Sequence, residues 1–386
     1  MQLIEVINSS LANEFLQVNV FLNGGFANYV RPLDKDIEET FDKKKNKALR
    51  HGEIIRWILR DDSGNLIGRI AAFVNNKYKN KGDDLPIGGV GFFDCINDQQ
   101  AADTLFDVCK HWLLQRGMEA MDGPINCGER DRWWGLLVEG FDPPSYRMNY
   151  NPPYYQNLFE NYGFKTFFNQ ICFGMKVHDR LPEKFFERHA LHTQNKNISA
   201  RHIQKKRLSK YAEDFTIIYN KAWAGHGGLK QINKEVVKKM FLQMKPVMDE
   251  RLVWFVYDEE KPIALWVNLP DLNEWFKYLN GRFDVFAKMK FLWIKATKKC
   301  RKFSGLVFGI VPEWQGTGID AYMIVEGAKI IQAQDMYLDY EMQWIGDFNP
   351  KMINIAAGLG TYRSRKLITY RYLFDRTKEF KPHPVF

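Results

Sequence analysis

With 386 residues, 45% apolar and 26% charged, the chain is long for one domain and ordinary in composition for a soluble globular protein. No apolar run is long enough to cross a bilayer, and the start MQLIEVINSSLANEF lacks the basic end and apolar stretch of a signal peptide, so a cytoplasmic location is expected. A net charge of +9 is modest for this length and does not by itself point to nucleic acid.

Taken in chain order, LIEVIN (3–8) reads as a short strand and residues 9–22 as a serine-capped helix. Residues 53–76 read as a hairpin turning at DDSGN. A strand (87–96), a helix (99–117) and a strand (118–125) follow, and then an Asn-Pro-initiated helix within 151–164. An insertion at 123–155, rich in aromatics, glycine and proline, is long enough to cover a cleft between domains. The polar, proline-broken stretch 177–196 reads as a linker. The same order then recurs: a strand (197–203), a helix (207–223), a hairpin (251–271) turning at DEEK, a strand (305–311), a helix (318–334), a strand (336–345) and an Asn-Pro helix (349–362). The recurrence predicts an α/β protein, with a mixed sheet and flanking helices, built from two copies of one domain. Their expected bounds are 1–178 and 197–386, joined by 179–196.

Five scattered cysteines (Cys95, Cys109, Cys127, Cys172, Cys300) form no CxxC pair and have no histidine at zinc spacing, so they read as reduced structural thiols and no metal is expected. The stretch VPEWQGTGID (311–320) is the one that looks built for a ligand. No GxxxxGK[ST] loop exists anywhere in the chain, which sets aside a P-loop enzyme. Gly316, Gly318 and Ala321 satisfy GxGxxA, with Asp339 about twenty residues on, as a dinucleotide site requires. The spacer 312–315 and the few elements left after the loop count against that reading.

A strand, then V-P-E-W-Q-G-T-G, then a helix resembles the central motif of the GNAT acyl-CoA N-acyltransferase superfamily, Q/R-x-x-G-x-G/A, with Gln315, Gly318 and Asp320 at its positions. The physical content is an anion nest, in which glycines turn backbone N–H groups inward and a helix N-terminus adds its dipole. The segments 218–223, 268–273, 369–374 and 141–164 further resemble a bacterial group of tandem GNAT-like proteins. The resemblance implies acetyl-CoA or another acyl-CoA as cosubstrate and an amine as acceptor. Ile310 and Val311 would pair with pantetheine, Gln315, Gly316, Thr317, Gly318 and Ile319 would hold the pyrophosphate, and Asn349 completes the expected set. Asp320 departs from the motif's small residue and would cap the helix or repel a pyrophosphate. The matching loop of the first copy, 94–104, has no glycine and carries Asp94, Asp98 and Asp103, so that copy is expected to have lost the coenzyme.

Alternation along 336–345 puts Asp339, Glu341 and Gln343 on one face. Glu341 is the first candidate for the base and Asp339 the second; a solvated face or pairing with lysines is the competing reading. The family's acid, a tyrosine seven residues beyond Asn349, falls at Ala356, which leaves Tyr362 as the substitute if the chain bends back. His226, in a glycine turn, is either a cleft residue or a surface one. Two other functions stay open. One is a transferase like those that use aminoacyl-tRNA, its clusters at 205–210 and 295–302 meeting the tRNA, although no coiled-coil insertion is present. The other is a non-catalytic protein that binds a metabolite or acyl-CoA between its domains.

Overall fold

The computed structural model describes residues 1–80, 83–128, 130, 132–223, 231–333 and 335–385; His226 lies outside them. The first half runs β1 (Gln2–Glu5), α1 (Ser9–Asn23), α2 (Asp34–Phe41), β2 (Gly52–Arg60), β3 (Leu66–Asn75), β4 (Ile87–Cys95), α3 (Gln99–Leu114), β5 (Ala120–Gly123), β6 (Leu136–Glu139), α4 (Tyr155–Tyr162) and β7 (Lys165–Lys176). Helix α5 (Glu183–Thr193) sits in the connecting segment. The second half runs β8 (Ile198–His202), α6 (Leu208–Ala222), α7 (Lys234–Met244), β9 (Val253–Asp258), β10 (Lys261–Pro270), α8 (Asn273–Phe276), α9 (Val285–Thr297), β11 (Lys302–Ile310), α10 (Ile319–Gln332), β12 (Asp339–Met342), β13 (Ile345–Gly346), α11 (Pro350–Gly358) and β14 (Tyr362–Leu373).

Local chemistry sets these boundaries. Asn8 caps α1 by accepting from the Leu11 N–H, and Asp61 closes the first hairpin by accepting from the Asn65 N–H at 2.8 Å. In each half a helix crosses over between two parallel strands, α3 from β4 to β5 and α10 from β11 to β12. Among the described residues all strands join one sheet, ordered β1-β2-β3-β4-β5-β14-β7-β12-β11-β10-β9-β8, with β13 beside β7 and β6 beside β14.

The order contains an exchange. Strand β7 ends the first half but pairs with β12, and β14 ends the second half but pairs with β5. Each half is completed by the other's final strand, and β7 and β14 lie antiparallel as the seam. Buried ion pairs pin β14 to strands of both halves. Arg371 of β14 holds Asp122 of β5 at 2.7 Å, and Arg365 of β14 holds Glu341 of β12 at 2.8 Å. Separate cores flank the seam, one centred on Phe93, Phe106, Tyr155 and Phe159, the other on Phe215, Phe241, Phe255 and Tyr257. All five cysteines are buried and unpaired. Among the described residues no helix is long and apolar enough to cross a membrane, and no group of three His, Cys, Asp or Glu is placed to hold a metal ion.

Candidate active site

The site begins where two parallel strands part. β11 and β12 stay paired from Lys302–Asp339 to Gly305–Met342, after which β11 runs on toward Ile310 paired with β10 and parted from β12. A cavity of about 220 Å³ fills the fork and reaches the first turn of α10 at Asp320. Its walls are apolar: Leu306 and Phe308 of β11, Tyr340 and Met342 of β12, Ile324 and Ala328 of α10, Ile355 and Ala356 of α11. Phe185 of α5 closes another side, together with Val177 and Leu181 just before it.

The glycine turn leads into Asp320, the residue of the first turn of α10 that lines this space. Residues Pro312–Trp314 make one turn of 3-10 helix, and Gly318 opens α10 at φ +95° with no side chain capping it. The first N–H groups of α10 therefore have no helical or side-chain acceptor. A Cβ at Gly318 would be strained at that φ and would lie 3.2 Å from the Arg188 carbonyl. Around the turn, α5 supplies three polar groups. Arg188 donates to Asp320 at 2.8 Å, His192 Nε2 donates to the Thr317 carbonyl at 2.9 Å, and His189 meets Glu326 at 2.7 Å. The connecting segment is thus a packed wall of the site, and the Asp320 charge is matched by Arg188.

Several residues expected to bind coenzyme are already engaged. The Val311 N–H donates to the Ile263 carbonyl at 3.0 Å, and the Ile310 carbonyl accepts from the Gln315 side chain at 3.1 Å. Neither group is free for pantetheine, because β11 is still paired with β10 at Ile310. Among the described residues, the stretch of β11 with no strand on its fork side is 306–309. Thr317 donates its hydroxyl to the Trp314 carbonyl, Ile319 is buried in the core, and Asn349 caps α11 by accepting from the Met352 N–H. Gly316, at φ +79°, has open space around it.

The expected catalytic residues lie elsewhere. Glu341 is buried and accepts from Lys302, from Arg365 at 2.8 Å, from Ser145 at 3.0 Å and from Ser364 at 2.6 Å. Burial pushes its pKa up, but the two cations outweigh that and hold it at about 2. A carboxylate with four donors and so low a pKa is a poor proton acceptor. Asp339 pairs with Lys176 at 2.5 Å on the surface, and Tyr362 is exposed at the start of β14, facing Gly174. None of the three lines the cavity.

Alternation holds within β12, where the cavity lies on the face of Tyr340 and Met342 rather than that of Asp339 and Glu341, whereas Gln343, just past the strand's end, does line the cavity. Burial raises the Tyr340 pKa to about 12, and its ring meets Trp266 edge-on at 6.1 Å. A tyrosine hydroxyl is a donor while protonated, and Tyr340 lines the cavity. Period-two alternation could have found Tyr340, since it names both faces of the strand; nothing in the sequence tied Arg188 to the glycine turn.

The first half shows the same fork filled by its own chain. Pairing of β4 with β5 ends at Gly89–Asp122, and beyond it the Ile125 N–H donates to the Val90 carbonyl at 2.8 Å. A Cβ at Gly91 would lie 2.0 Å from the Ile125 carbonyl. Helix α3 is capped by Asp98, which accepts from the Ala101 N–H at 2.8 Å. Asp94 is taken up by Arg69 at 2.7 Å, by Asn19 and Asn23, and by Tyr155.

Two parallel forks, each crossed by a helix, have counterparts among solved structures. A tandem GNAT protein from the clavulanic acid biosynthesis pathway superposes with a TM-score of 0.55 at 9% identity, over 96% of this chain and 98% of that one. The chain has a tandem GNAT fold. A GCN5-related glucosamine N-acetyltransferase region of a fungal multi-domain β-N-acetylglucosaminidase superposes at 0.56 with 11% identity, over 96% of this chain but 38% of that longer one. By sequence, the chain is 24% identical over 358 residues to a bacterial ceramide synthase of Caulobacter vibrioides, covering 90% of this chain and 92% of that protein. It is 25% identical over 338 residues to protein YghO of Escherichia coli, covering 86% and 85%. No family model matches the chain.

Proposed function

We propose that the protein is an N-acyltransferase that moves a long acyl chain from coenzyme A to the amine of a long-chain acceptor. One observation carries the reading: the apolar cavity at the β11–β12 fork opens onto an uncapped helix N-terminus. Its 220 Å³ exceeds the ~150 Å³ apolar cavity that accepts a benzene, which favours a chain over an acetyl group. A ceramide is the amide of a fatty acid and a long-chain amino alcohol. The similarity to a protein named for making one supports the same chemical class of acceptor here.

In this reading residues 197–386 carry the coenzyme, 1–178 support them through the exchanged strands, and 179–196 wall the site. The N–H groups of Ile319, Asp320 and Ala321, with Gly316, Gly318 and Arg188 around them, face the pyrophosphate. The free edge at 306–309 pairs with pantetheine. The amine nitrogen attacks the thioester carbonyl, the C–N bond forms, the C–S bond breaks, the thiolate takes a proton from a donor, and the proton that the nitrogen loses returns to that donor through water. Tyr340 is our assignment for that donor, since burial keeps it protonated at neutral pH.

Isothermal titration with acetyl-, octanoyl- and palmitoyl-CoA, joined to mass spectrometry of the amide formed with sphinganine, tests the proposal. Tighter binding with chain length, lost in Gly318→Glu, and an N-acyl product are expected. Absence of acyl-CoA binding, or equal binding by Gly318→Glu, would overturn it.

A further inference from the structure

Helix α9 is apolar on two opposite faces, and the fold covers only one. Ala287, Phe291 and Ile294 are buried, with Phe291 against Trp275, Phe276 and Phe283. On the other side Val285, Phe286, Met289, Leu292 and Trp293 are between 62 and 81% exposed. With 3.6 residues per turn these five fall within an arc of about 120°. Lys288 and Lys295 border one edge of the arc, Lys290 borders the other, and Lys298 and Lys299 follow the last turn. No acidic residue occurs from 285 to 303. Carbonyls and rings surround these lysines: Lys290 donates to the Tyr278 carbonyl at 2.7 Å, while Lys288 and Lys298 lie over Phe283 and Tyr278. Lys295 is partly buried and donates to the Pro246 carbonyl, whereas Lys288, Lys290, Lys298 and Lys299 are exposed.

A helix of a soluble domain normally turns a polar face to water, so a contiguous apolar stripe with a basic rim marks a surface that meets something. A second copy of this chain is a poor fit. A twofold interface through α9 would bring Lys288 and Lys290 against their own images. An anionic bilayer suits both parts, with the apolar stripe below the headgroups, the lysines at phosphate level and Trp293 at the boundary. We propose that α9 is an interfacial helix that docks the protein on an anionic membrane surface. Four residues after α9 the chain enters β11, one wall of the cavity, so docking holds that wall next to lipid. The proposal does not depend on acyl transfer and is read without it.

Flotation of the full chain with vesicles of phosphatidylcholine alone, or of two parts phosphatidylcholine to one part phosphatidylglycerol, decides the matter. Wild type should float with the anionic vesicles and release as salt rises. Phe286→Glu combined with Trp293→Glu should weaken flotation by about tenfold or more while leaving the circular dichroism spectrum unchanged. Lys288→Glu combined with Lys290→Glu should abolish the preference for phosphatidylglycerol, at roughly fivefold per lysine. No flotation of wild type with either vesicle overturns the proposal, as does equal flotation of the Phe286/Trp293 variant. Gel filtration showing a dimer that this variant splits, with no vesicle binding, overturns it in favour of self-association.

Discussion

Arg188 and Asp320 meet at 2.8 Å, joining α5 of the connecting segment to the first turn of α10. The pair turns an aspartate that would repel phosphate into one whose charge is matched, and it brings a guanidinium to the open end of the helix. Arg188→Ala should weaken acyl-CoA binding about tenfold by leaving Asp320 facing the pyrophosphate. Asp320→Ala should stay within about threefold of wild type, and the double variant should recover most of the loss. Both partners are partly exposed, so stability should move by less than ~1 kcal/mol. Titration calorimetry and thermal melts of the three variants check this.

Chain-length preference should follow from the cavity. At ~0.8 kcal/mol per buried methylene, affinity should rise about fourfold per CH₂ until the space is filled. Ala328→Phe occupies part of it, so palmitoyl-CoA affinity should fall by about tenfold or more while acetyl-CoA affinity is unchanged. Competition binding across a series of chain lengths measures both.

Glu341 should behave as a structural node. Its pKa is about 2 in the fold against 4.5 for a free glutamate, so its stabilisation is complete above about 4.5 and is lost as pH falls toward about 2. The shift corresponds to about 3 kcal/mol, in line with the ~3–5 kcal/mol lost when one partner of a buried pair is removed. Glu341→Gln should therefore be least stable relative to wild type near neutral pH, with the gap closing between about 4.5 and 2. Urea denaturation at stepped pH reads it; a gap independent of pH would argue against the assignment.

Tyr340→Phe should keep the fold and acyl-CoA affinity but lower kcat by roughly a hundredfold, the size of an acid–base contribution. Tyr362→Phe and Asp339→Asn, both outside the cavity, should leave kcat within about twofold. Steady-state rates with bound acyl-CoA quantified in parallel separate the three.

The sequence pattern disclosed a good deal of this architecture. Both hairpins lie where DDSGN and DEEK placed their turns, because alternation and turn chemistry are local. The glycine turn before α10 was also legible, since only glycine holds a positive φ cheaply there. What was hidden is tertiary. Residues 177–196 looked like a tether, yet Phe185, His189 and His192 recur at helical spacing and are buried against α10. Asp339 and Glu341 looked like reaction-face acids, and only the position of Lys302, Arg365 and Lys176 in space reveals them as ion-pair partners. The strand exchange left no local trace, because an exchanged strand carries the same alternation as one that pairs at home.

That exchange constrains how the protein is made. Strand β5 registers Ala120 with Leu373, so the first half to leave the ribosome waits for a strand about 250 residues further on before its sheet is closed. Until then β5 shows a bare edge next to an apolar core, the kind of surface on which nascent chains pair with each other. A premature stop anywhere before β14 would therefore spoil the amino-terminal half as well as the carboxyl-terminal one. Translation through β14 serves as the molecule's own quality check.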